Sequence, residues 1–462
     1  MQLHDAISHY HSLLDEAGAR DTFTQLDAAI RARRMLVGKP PDRLICSVLR
    51  PRLLTEAQLA VVEQAATLVG RAIRKVGAAT LDQPALLKPY ALTSQEQALL
   101  AIDPGYPGVS ALGRLDGFLA EDGSACWFVE SNLESPAGIG YDEAMVEIFD
   151  QLDIMREYRK AYRAVALPHR QGLQQQLLAT YRAWGGSATP TIAIVDFKGA
   201  VTWPEFEHLR DRFATDGIPT VIADPGELEY DGKRLYAQTA GQPARTAIDL
   251  VYRRVLQHEF LAKYDLDHPL VRAYADHAVC VVNPFRTKPV HTKLIMALLS
   301  DEDGPAAGLL DAEERAAVTR HVPWTRQVLG GVTRYQGQQT PLLTFAQRNR
   351  ERLVLKPNDD YGGQGVLLGW ETDQTSWDRA LAAAQAAPFV IQERVPVPVE
   401  EYPTWTPEEG LRFTPRYVDS DPCVYGDRAI GCLTRIAATA LLNVSAGGGA
   451  APPTFVVAPA RL

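Results

Sequence analysis

The apolar residues of the first hundred positions repeat with the period of a helix. In HDAISHYHSLLDEA and LTEAQLAVVEQAATLVGRAIRKVGAA, apolar residues recur at i, i+3, i+4 and i+7. This spacing places them on one face of each helix. Residues 1–104 are therefore predicted to be an N-terminal helical region that acts as a cap or lid.

Between residues 105 and 185 the pattern changes to the alternation of β-strands. The segment SALGRLDGFLAEDGSACWFVESN contains two strand-like pieces on either side of EDGS, which is a turn signal. It predicts a β-hairpin, followed by the glycine-containing loop ESPAGIGYDE. A helix through EAMVEIFDQL and a helical linker complete this part of the chain.

Strand and helix patterns alternate in residues 186–285. TPTIAIVDF and PTVIADP are strand patterns, and the amphipathic segment PEFEHLRDRFATDGI separates them. Strand, helix, strand is the crossover unit of a parallel sheet, and AIDLVYRR and HAVCVVNP add further strands. The sequence predicts a Rossmann-like domain here, although it lacks the GxGxxG fingerprint of a dinucleotide site.

Residues 286–462 mix helix and strand signals. They include a helix at TKLIMALLSD, a strand with a glycine loop at RLVLKPNDDYGGQGVLLG, and strands at FVIQERV and RFTPRYV. The total length of 462 residues fits about three domains of roughly 150 residues. The chain is thus predicted to be an α/β (α+β) protein.

The composition argues against several classes of protein. Lys and Arg number 47 against 56 Asp and Glu, so the net charge of −9 disfavours a nucleic-acid binder. No apolar run approaches the ~20 residues that cross a bilayer, and the amino terminus lacks a secretion signal. We expect a cytoplasmic protein without a membrane partner, whose five cysteines are reduced thiols.

The loop KPNDDYGGQGV is the strongest local signal for anion binding. Lys356 ends a strand pattern, and Gly362, Gly363 and Gly365 follow it. Glycines allow backbone N–H groups to approach an anion closely, so lysine followed by such a loop indicates contact with a triphosphate. The alternative is a glycine-rich turn beside a surface lysine.

Two later motifs extend this interpretation. Gln392 and Glu393 follow an apolar strand, as a hinge that contacts an adenine requires, and an amphipathic strand end is the alternative. Arg435, predicted to lie on a strand, precedes a polar glycine-rich tail. Its alternative is a cationic surface residue beside a loop.

A second cluster lies in the predicted hairpin. Residues i and i+2 of a strand share a face, so Arg114 projects with Asp116, and Glu130 with Asn132. Two carboxylates and an amide oxygen suit Mg²⁺, and the neighbouring guanidinium can stabilise a phosphoryl group during transfer. A cross-strand salt bridge on a solvated face is the alternative.

The order of these motifs resembles that of the circularly permuted ATP-grasp proteins related to glutathionylspermidine synthetase. RxD comes first, then ExN, a long insertion, NPFRTKPVHTK, the KP-glycine loop, QE and GxxxR. The resemblance covers about residues 105–455. It implies a circularly permuted ATP-grasp fold with an inserted Rossmann-like pre-ATP-grasp domain at 186–285 and nucleotide-binding subdomains with a glycine-rich lid at 286–462.

The resemblance implies a site for ATP and two Mg²⁺ ions. In it, Arg114 stabilises the transferred phosphoryl group and the metal ligands are Asp116, Glu130 and Asn132. Lys288 is a less favoured substitute for Lys293. The implied contacts to ATP are Lys293, Lys356, Gly362, Gly363, Gln392, Glu393 and Arg435.

The implied activity is that of a carboxylate–amine ligase that forms an amide through an acyl phosphate. We expect the substrate carboxylate against Ser135 and near Arg253 or Arg254, with a sheet-edge salt bridge as the alternative for the arginines. Three acidic side chains of the later loops are predicted to be solvated, with a contact to metal or to the amine as the alternative, namely Asp359, Asp360 and Asp419.

Other functions stay open at this point. One is an ATP-dependent phosphotransferase, and another is a non-catalytic nucleotide-binding protein that keeps the fold. The glycine loop differs from that of glutathionylspermidine synthetase proper and no amidase domain is present, so the acid and the amine are not defined. The oligomeric state is not predicted either.

Overall fold

The computed structural model describes residues 3–38, 43–238, 244–360, 362–442, 444 and 449–460. Most of the glycine-rich tail noted above therefore lies outside the described residues. The described helices are α1 (Leu3–Ser12), α2 (Glu16–Ala32), α3 (Glu56–Asp82), α4 (Pro84–Leu87), α5 (Ser94–Ala101), α6 (Ile139–Gln151), α7 (Asp153–Tyr158), α8 (His169–Trp184), α9 (Trp203–Thr215), α10 (Gln257–Leu261), α11 (Pro269–Ala275), α12 (Lys288–His291), α13 (Leu294–Ser300), α14 (Ala312–His321), α15 (Leu342–Arg348) and α16 (Gln374–Ala383).

The described strands form several sheets. The first twelve strands are β1 (Leu36–Val37), β2 (Arg43–Leu44), β3 (Arg52–Leu54), β4 (Leu112–Leu119), β5 (Cys126–Asn132), β6 (Tyr162–Ala166), β7 (Ile192–Val195), β8 (Thr220–Ala223), β9 (Leu228–Tyr230), β10 (Leu235–Ala237), β11 (Thr246–Ile248) and β12 (Leu250–Arg253). The later strands are β13 (Cys280–Val282), β14 (Thr325–Gln327), β15 (Val332–Tyr335), β16 (Gln338–Pro341), β17 (Leu353–Pro357), β18 (Leu367–Leu368), β19 (Phe389–Glu393), β20 (Val399–Thr406), β21 (Gly410–Val418), β22 (Asp421–Tyr425), β23 (Arg428–Leu433), β24 (Ile436–Ala437) and β25 (Thr454–Pro459).

The predicted hairpin of the first third is built into a sheet with strands from the last third. Its order is β23-β22-β4-β5, and all of its pairings are antiparallel. Helix α3 packs on this sheet and begins at a capping box formed by Thr55 and Gln58. The sheet and helix share a large apolar core with α12, α13 and α14.

The N-terminal region is mostly helical, as its periodicity predicts, but it also contributes strands. The short β3 pairs in parallel with β25, and β25 pairs antiparallel with β6. The sheet order β3-β25-β6 thus connects the N-terminal region and the last described strand to the linker before α8. A three-residue strand carries too little pattern for its pairing to be predicted from sequence.

The region predicted to be Rossmann-like contains a parallel four-stranded sheet. Its order is β13-β12-β7-β8, and α9 connects β7 to β8 as a crossover. A separate three-stranded antiparallel sheet, β11-β10-β9, follows β8. Strands β7, β12 and β13 of the parallel sheet are buried on both faces, which explains their apolar sequences, whereas the edge strand β8 is mostly half-buried.

The remaining sheets belong to the last third of the chain. One has the order β14-β19-β17-β18, and another, β20-β21-β24, is a long hairpin with a short third strand. The predicted glycine loop connects the antiparallel pair β17 and β18. No helix in the described ranges is long and apolar enough to cross a membrane.

Candidate functional site

A cavity of about 1120 Å³ opens where these sheets meet. It contains residues from both halves of the chain, including thirteen of the fourteen predicted to contact ATP, a metal ion, the transferred phosphoryl group or the substrate. Arg253 is the exception. The residues that line the cavity are Arg114, Asp116, Glu130, Asn132, Ser135, Arg254, Lys293, Lys356, Gly362, Gly363, Gln392, Glu393 and Arg435.

The hairpin β4–β5 places its polar side chains in the predicted pattern. Asp116 lies opposite Glu130, and Arg114 lies opposite Asn132. A register shift follows Asp116, where a Cβ on Gly117 would lie 2.6 Å from the carbonyl oxygen of Trp127. The glycine is therefore required for the close approach of the two strands at this bulge.

Two arginines surround the Asp116 carboxylate. Arg114 donates to both carboxylate oxygens at 2.7 and 2.9 Å, and Arg435 donates to one of them at 2.8 Å. Asn132 hydrogen-bonds to the same carboxylate. Burial raises the pKa of Asp116, but the two guanidinium groups lower it more, so this pKa lies below its usual value.

Arg435 lies between β23 and β24 and not on a strand, which corrects the prediction. Asp419 accepts its backbone N–H at 2.5 Å and its Nε at 2.6 Å, and this double contact holds the arginine in the turn. A second nitrogen of Arg435 lies 3.0 Å from Asp421. These contacts orient the guanidinium group toward Asp116 at the wall of the cavity.

Asp419 was predicted to be a solvated loop acid, and this is wrong because the structure buries it almost completely. Asp421 is fully buried beside it and was missed. Burial raises the pKa of both carboxyl groups, although Arg435 opposes the shift. The repeated acid in VDSDP, just before a buried strand, was the signal available in the sequence.

Lys293 connects the carboxylates of the β4–β5 hairpin to the glycine loop. Its ammonium group lies 3.0 Å from Glu130 and donates to the carbonyl of Asp360 at 2.5 Å. Asn358 fixes the same segment, since it accepts the backbone N–H of Leu294 at 2.7 Å. Burial raises the pKa of Glu130, but Lys293 lowers it, and the net pKa lies below its usual value.

Lys356 is held at the floor of the cavity by neutral groups. It donates to the side-chain oxygen of Gln392 at 2.7 Å and to the carbonyl of Val129 at 3.2 Å. Gln392 in turn donates to Thr325 at 3.0 Å, which fixes its amide orientation. Burial is the main reason why the pKa of Lys356 falls to about 8.

The glycine loop reaches over the cavity. Gly362, Gly363 and Gly365 all have positive φ angles of 67° to 74°, a conformation that side chains with a Cβ rarely adopt. A Cβ on Gly363 would lie 3.1 Å from Leu441, so the loop tip is close to the segment that follows Arg435. The neighbouring Tyr361 lies outside the described residues.

Glu393 lines the cavity at the predicted hinge, but its carboxylate is already engaged. It accepts a hydrogen bond of 2.6 Å from Tyr335 and lies 3.4 Å from Arg352. Beside it, Arg394 stacks 4.0 Å over the ring of Trp370, and both residues line the cavity. The hinge therefore offers backbone groups and a flat aromatic surface.

Of the two adjacent arginines, only Arg254 faces the cavity. Arg253 is fully buried, binds Glu134 at 2.6 Å and donates to the carbonyl of Asn283 at 3.0 Å. Of the two arginines expected near a substrate carboxylate, Arg253 instead forms a salt bridge, which was the stated alternative, and it is buried inside the protein. Ser135 donates to the carbonyl of Arg254 at 2.5 Å, so it ties the loop after β5 to the end of β12.

Lys288 does not enter the cavity. It is buried and forms an ion pair with Asp359, so it is unsuited to replace Lys293 in phosphate contact. The same ion pair corrects the prediction that Asp359 is a solvated acid. Asp360 is exposed, as predicted, and lies at the cavity wall.

Another cluster in the described part of the chain has the donor types of a metal site. Glu143, Glu147 and His208 bring their ligand atoms close together. Arg170 pairs with Glu143 at 2.5 Å, and Arg212 pairs with Glu147. Cations of the protein neutralise these carboxylates, as they do Asp116 and Glu130. Of the two sets, only Asp116, Glu130 and Asn132 line the cavity, so they are the better candidate metal ligands.

Comparison with known proteins places the fold among glutathione synthetase-like structures. The apo structure of a glutathione synthetase-like effector from Globodera pallida superposes with a TM-score of 0.59 at 11% identity, and it covers 95% of this chain and 96% of the effector. At this identity the similarity defines the fold alone. No protein-family model matches the chain.

Two curated relatives have distantly related sequences. The Frankia casuarinae protein named "Putative glutamate--cysteine ligase 2-2" is 23% identical over 345 residues, and the Frankia alni protein "Putative glutamate--cysteine ligase 2-3" is 26% identical over 351 residues. Each match covers 72% of this chain and 37% of the relative. The chain thus corresponds to little more than a third of these relatives.

Proposed function

We propose that the chain is an ATP- and Mg²⁺-dependent carboxylate–amine ligase of the circularly permuted ATP-grasp type. The observation that carries the proposal is the meeting of two clusters in one cavity. The oxygen atoms come from the early hairpin β4–β5, and the ammonium groups of Lys293 and Lys356 come from later in the chain. Phosphoryl transfer depends mainly on such positioning and charge neutralisation.

The cavity offers complementary contacts to each part of a nucleotide. Lys293 and Lys356 contact the phosphates, and the glycine loop brings backbone N–H groups close to them. The apolar side chains of Val354 and Leu368 line the cavity near the hinge strand, where an adenine ring can pack. Binding of the phosphates restores the full charge of Lys356, because an anion raises the pKa of a buried ammonium group.

The candidate metal ligands fit Mg²⁺ by their chemistry. Asp116 and Glu130 supply carboxylate oxygens, and Asn132 supplies an amide oxygen on the same face of the hairpin. Each carboxylate already binds a cationic side chain, which shows that this position favours positive charge. When bound, Mg²⁺ neutralises the phosphate oxygens and orients them for in-line transfer.

The proposed reaction has two steps. A substrate carboxylate attacks the γ-phosphorus of ATP, the bond to the β-phosphate oxygen breaks, and ADP leaves. Arg114 and Arg435 stabilise the negative charge of the transferred group. An amine then attacks the acyl carbon, phosphate leaves, the amine nitrogen loses a proton, and an amide forms, while the glycine loop limits hydrolysis by water.

The names of the Frankia relatives suggest the first substrates to test. A glutamate–cysteine ligase joins a carboxylate of glutamate to the amine of cysteine, so we propose L-glutamate as the acid and L-cysteine as the amine. Arg254 lines the part of the cavity where we place the substrate carboxylate, and it forms no salt bridge with any described residue. This guanidinium is available to hold a substrate carboxylate.

The function is tested by ADP release from Mg-ATP in the presence of L-glutamate and L-cysteine, followed by all pairs of protein amino acids. Wild-type protein is expected to release ADP when both an acid and an amine are present. Lys356→Ala is expected to lower this rate by about 100-fold, because one charge contact to the transferring phosphate is lost. Lys160→Ala, which removes an exposed lysine paired with Glu157, is the matched control and should retain the rate.

Three outcomes distinguish the possible functions. ADP release that needs an acid but no amine would favour a phosphotransferase. Binding of Mg-ATP without ADP release for any pair would favour a non-catalytic nucleotide-binding protein. Equal rates for wild type and Lys356→Ala would contradict the assignment of the phosphate site.

A further inference from the structure

One edge of the cavity coincides with the topological switch point of the parallel sheet. From β7 the chain crosses through α9 to β8 on one side, whereas β12 pairs with β7 on its other side. In open parallel sheets, the carboxyl ends of the two strands at such a reversal leave a crevice that binds ligands. Here the crevice lies between the ends of β7 and β12.

Opposite charges occupy the two sides of this crevice. Asp196 directly follows β7 and Arg254 directly follows β12, and the preceding residues Val195 and Arg253 are paired in register. Both charged side chains line the cavity. Each is less than one-tenth exposed, so each has lost most of its contact with water.

Neither charge has an ionic partner in the described part of the chain. Asp196 accepts the adjacent backbone N–H of Phe197 at 2.8 Å. Arg254 donates to the carbonyl of Pro136 and to the hydroxyl of Tyr252 at 3.3 Å, and its Nε is buried without a hydrogen-bond partner. Two buried opposite charges that do not bind each other are costly unless a ligand connects them.

We propose that this crevice binds an α-amino acid as a zwitterion, with its carboxylate at Arg254 and its ammonium group at Asp196. The proposal rests on the proposed ligase function and adds which side chains hold the two charged ends of an amino-acid substrate. A dianionic phosphate fits the crevice less well, because Asp196 would repel it. The acid Glu205 does not compete for the zwitterion, since one of its oxygens accepts the N–H groups of Gly138 and Gly140 at 2.9 and 3.1 Å.

The neighbouring side chains are compatible with an amino acid. Phe197, Val201 and Leu256 supply apolar surface around the two charges, and Glu259 adds a second carboxylate at the cavity wall. The ammonium side of the crevice is therefore more acidic than the carboxylate side. Such polarity aligns a zwitterion in one direction and leaves its side chain toward the rest of the cavity.

Binding to the full chain tests the zwitterion site. The twenty protein amino acids are screened by thermal shift, with and without Mg²⁺ and the nonhydrolysable nucleotide AMP-PNP, and the strongest is titrated by calorimetry. Its N-acetyl derivative, which lacks the ammonium group, and its carboxamide, which lacks the carboxylate, are each expected to bind about tenfold more weakly or worse.

Variants assign each charge to one side chain. Asp196→Asn is expected to weaken binding of the amino acid, so that it binds no more tightly than its N-acetyl derivative. In Arg254→Gln, the amino acid should bind no more tightly than its carboxamide. Asp211→Asn is the matched control, because Asp211 is exposed on α9, pairs with Arg210 and does not line the cavity. It should leave all affinities unchanged.

The outcomes separate this inference from the ligase proposal. If wild-type protein binds AMP-PNP but no amino acid, or binds the blocked derivatives equally well, the zwitterion site is wrong and the nucleotide site stands. If it binds amino acids with the expected discrimination but no nucleotide, the zwitterion site stands and the ligase proposal fails. Should Arg254→Gln not fold, the comparison of derivatives on wild-type protein still decides.

Discussion

At the scale of single residues, neighbours in the sequence can have unrelated roles. Arg253 and Arg254 are both buried, but strand alternation turns them to opposite sides. Arg253 uses its nitrogens on Glu134, a side-chain hydroxyl and backbone carbonyls, and so holds the loops around β12 together. Arg254 instead lines the cavity, donates through Nη1 to the carbonyl of Pro136 and the hydroxyl of Tyr252, and keeps its buried Nε without a partner.

Asp196 gives a testable dependence of stability on pH. Burial raises its pKa from 3.8 to about 6, while Arg254 lowers it and Glu259 and Asp224 raise it. The folded state thus binds the proton more tightly than the unfolded state. The contribution of Asp196 to the free energy of unfolding is fully present below pH 3.8. It falls as the pH rises and is lost above the folded pKa of about 6.

Asp196→Asn removes this titration. The difference between the two pKa values corresponds to at most about 3 kcal/mol, so the variant should melt at a higher temperature than wild type at pH 8. At pH 4 the two proteins should melt at nearly the same temperature. Melting curves at both pH values provide the measurement, and a variant less stable than wild type at pH 8 would contradict the burial argument.

At the scale of elements, helix α3 determines where α12 and Lys293 lie. Gly77 of α3 touches α12, and a Cβ at this glycine would lie 2.1 Å from Cγ1 of Val290. Lys293 is the second residue after the end of α12, so the position of this helix determines where the lysine lies. The glycine therefore permits an approach that brings an ammonium group to the cavity.

Gly77→Ala is expected to destabilise the fold by about 1–3 kcal/mol, since overpacking exceeds the gain in helix propensity. It should also weaken AMP-PNP binding, because α12 must move. The measurements are denaturant titration and calorimetry. Gly70→Ala in the same helix is the control, since its Cβ would lie 3.2 Å from a methyl group of Val424 and needs only a small adjustment.

A compensating change makes this prediction specific. Val290→Ala removes the methyl groups that an alanine at position 77 would meet. The double variant Gly77→Ala, Val290→Ala should therefore be more stable than the sum of the two single changes implies. Strict additivity of the two free-energy changes would show that the contact with α12 is not the cause.

Some elements of the site could be predicted from sequence because their pattern is local. Asp116 and Glu130 share a face because residues of one hairpin alternate around a recognisable turn. Lys356 was identified because a strand and a glycine loop flank it. The burial of Asp421 depends on Arg435 and on strands distant in sequence, so no local pattern indicates it.

At the scale of the whole molecule, the last strand joins parts that lie far apart in the sequence. β25 is the central strand of the sheet β3-β25-β6, and its residues Phe455 and Val457 are buried in the core of the N-terminal helices. The predicted separate helical region is therefore structurally joined to the carboxyl end. This pairing has too few residues on β3 to be recognised from sequence.

Truncation tests this dependence. A chain that ends after Pro453 loses β25, leaves β3 and β6 without their central partner, and is expected to aggregate or to lose its cooperative melting transition. A chain that ends after Ala460 keeps the strand and should melt like the full-length protein. Soluble yield and circular dichroism measure both, and normal melting of the shorter chain would contradict the role of β25.

The ion pairs inside the cavity have a further consequence for how it fills. Arg435 and Lys293 already bind Asp116 and Glu130, so in the proposed nucleotide site an incoming triphosphate would have to replace these acids with its own oxygens. Asp116 keeps its two contacts with Arg114, whereas the released Glu130 carboxylate requires a counter-charge, which a divalent ion would supply. Anion and cation should therefore enter as a thermodynamically linked couple, each raising the affinity for the other by the same factor.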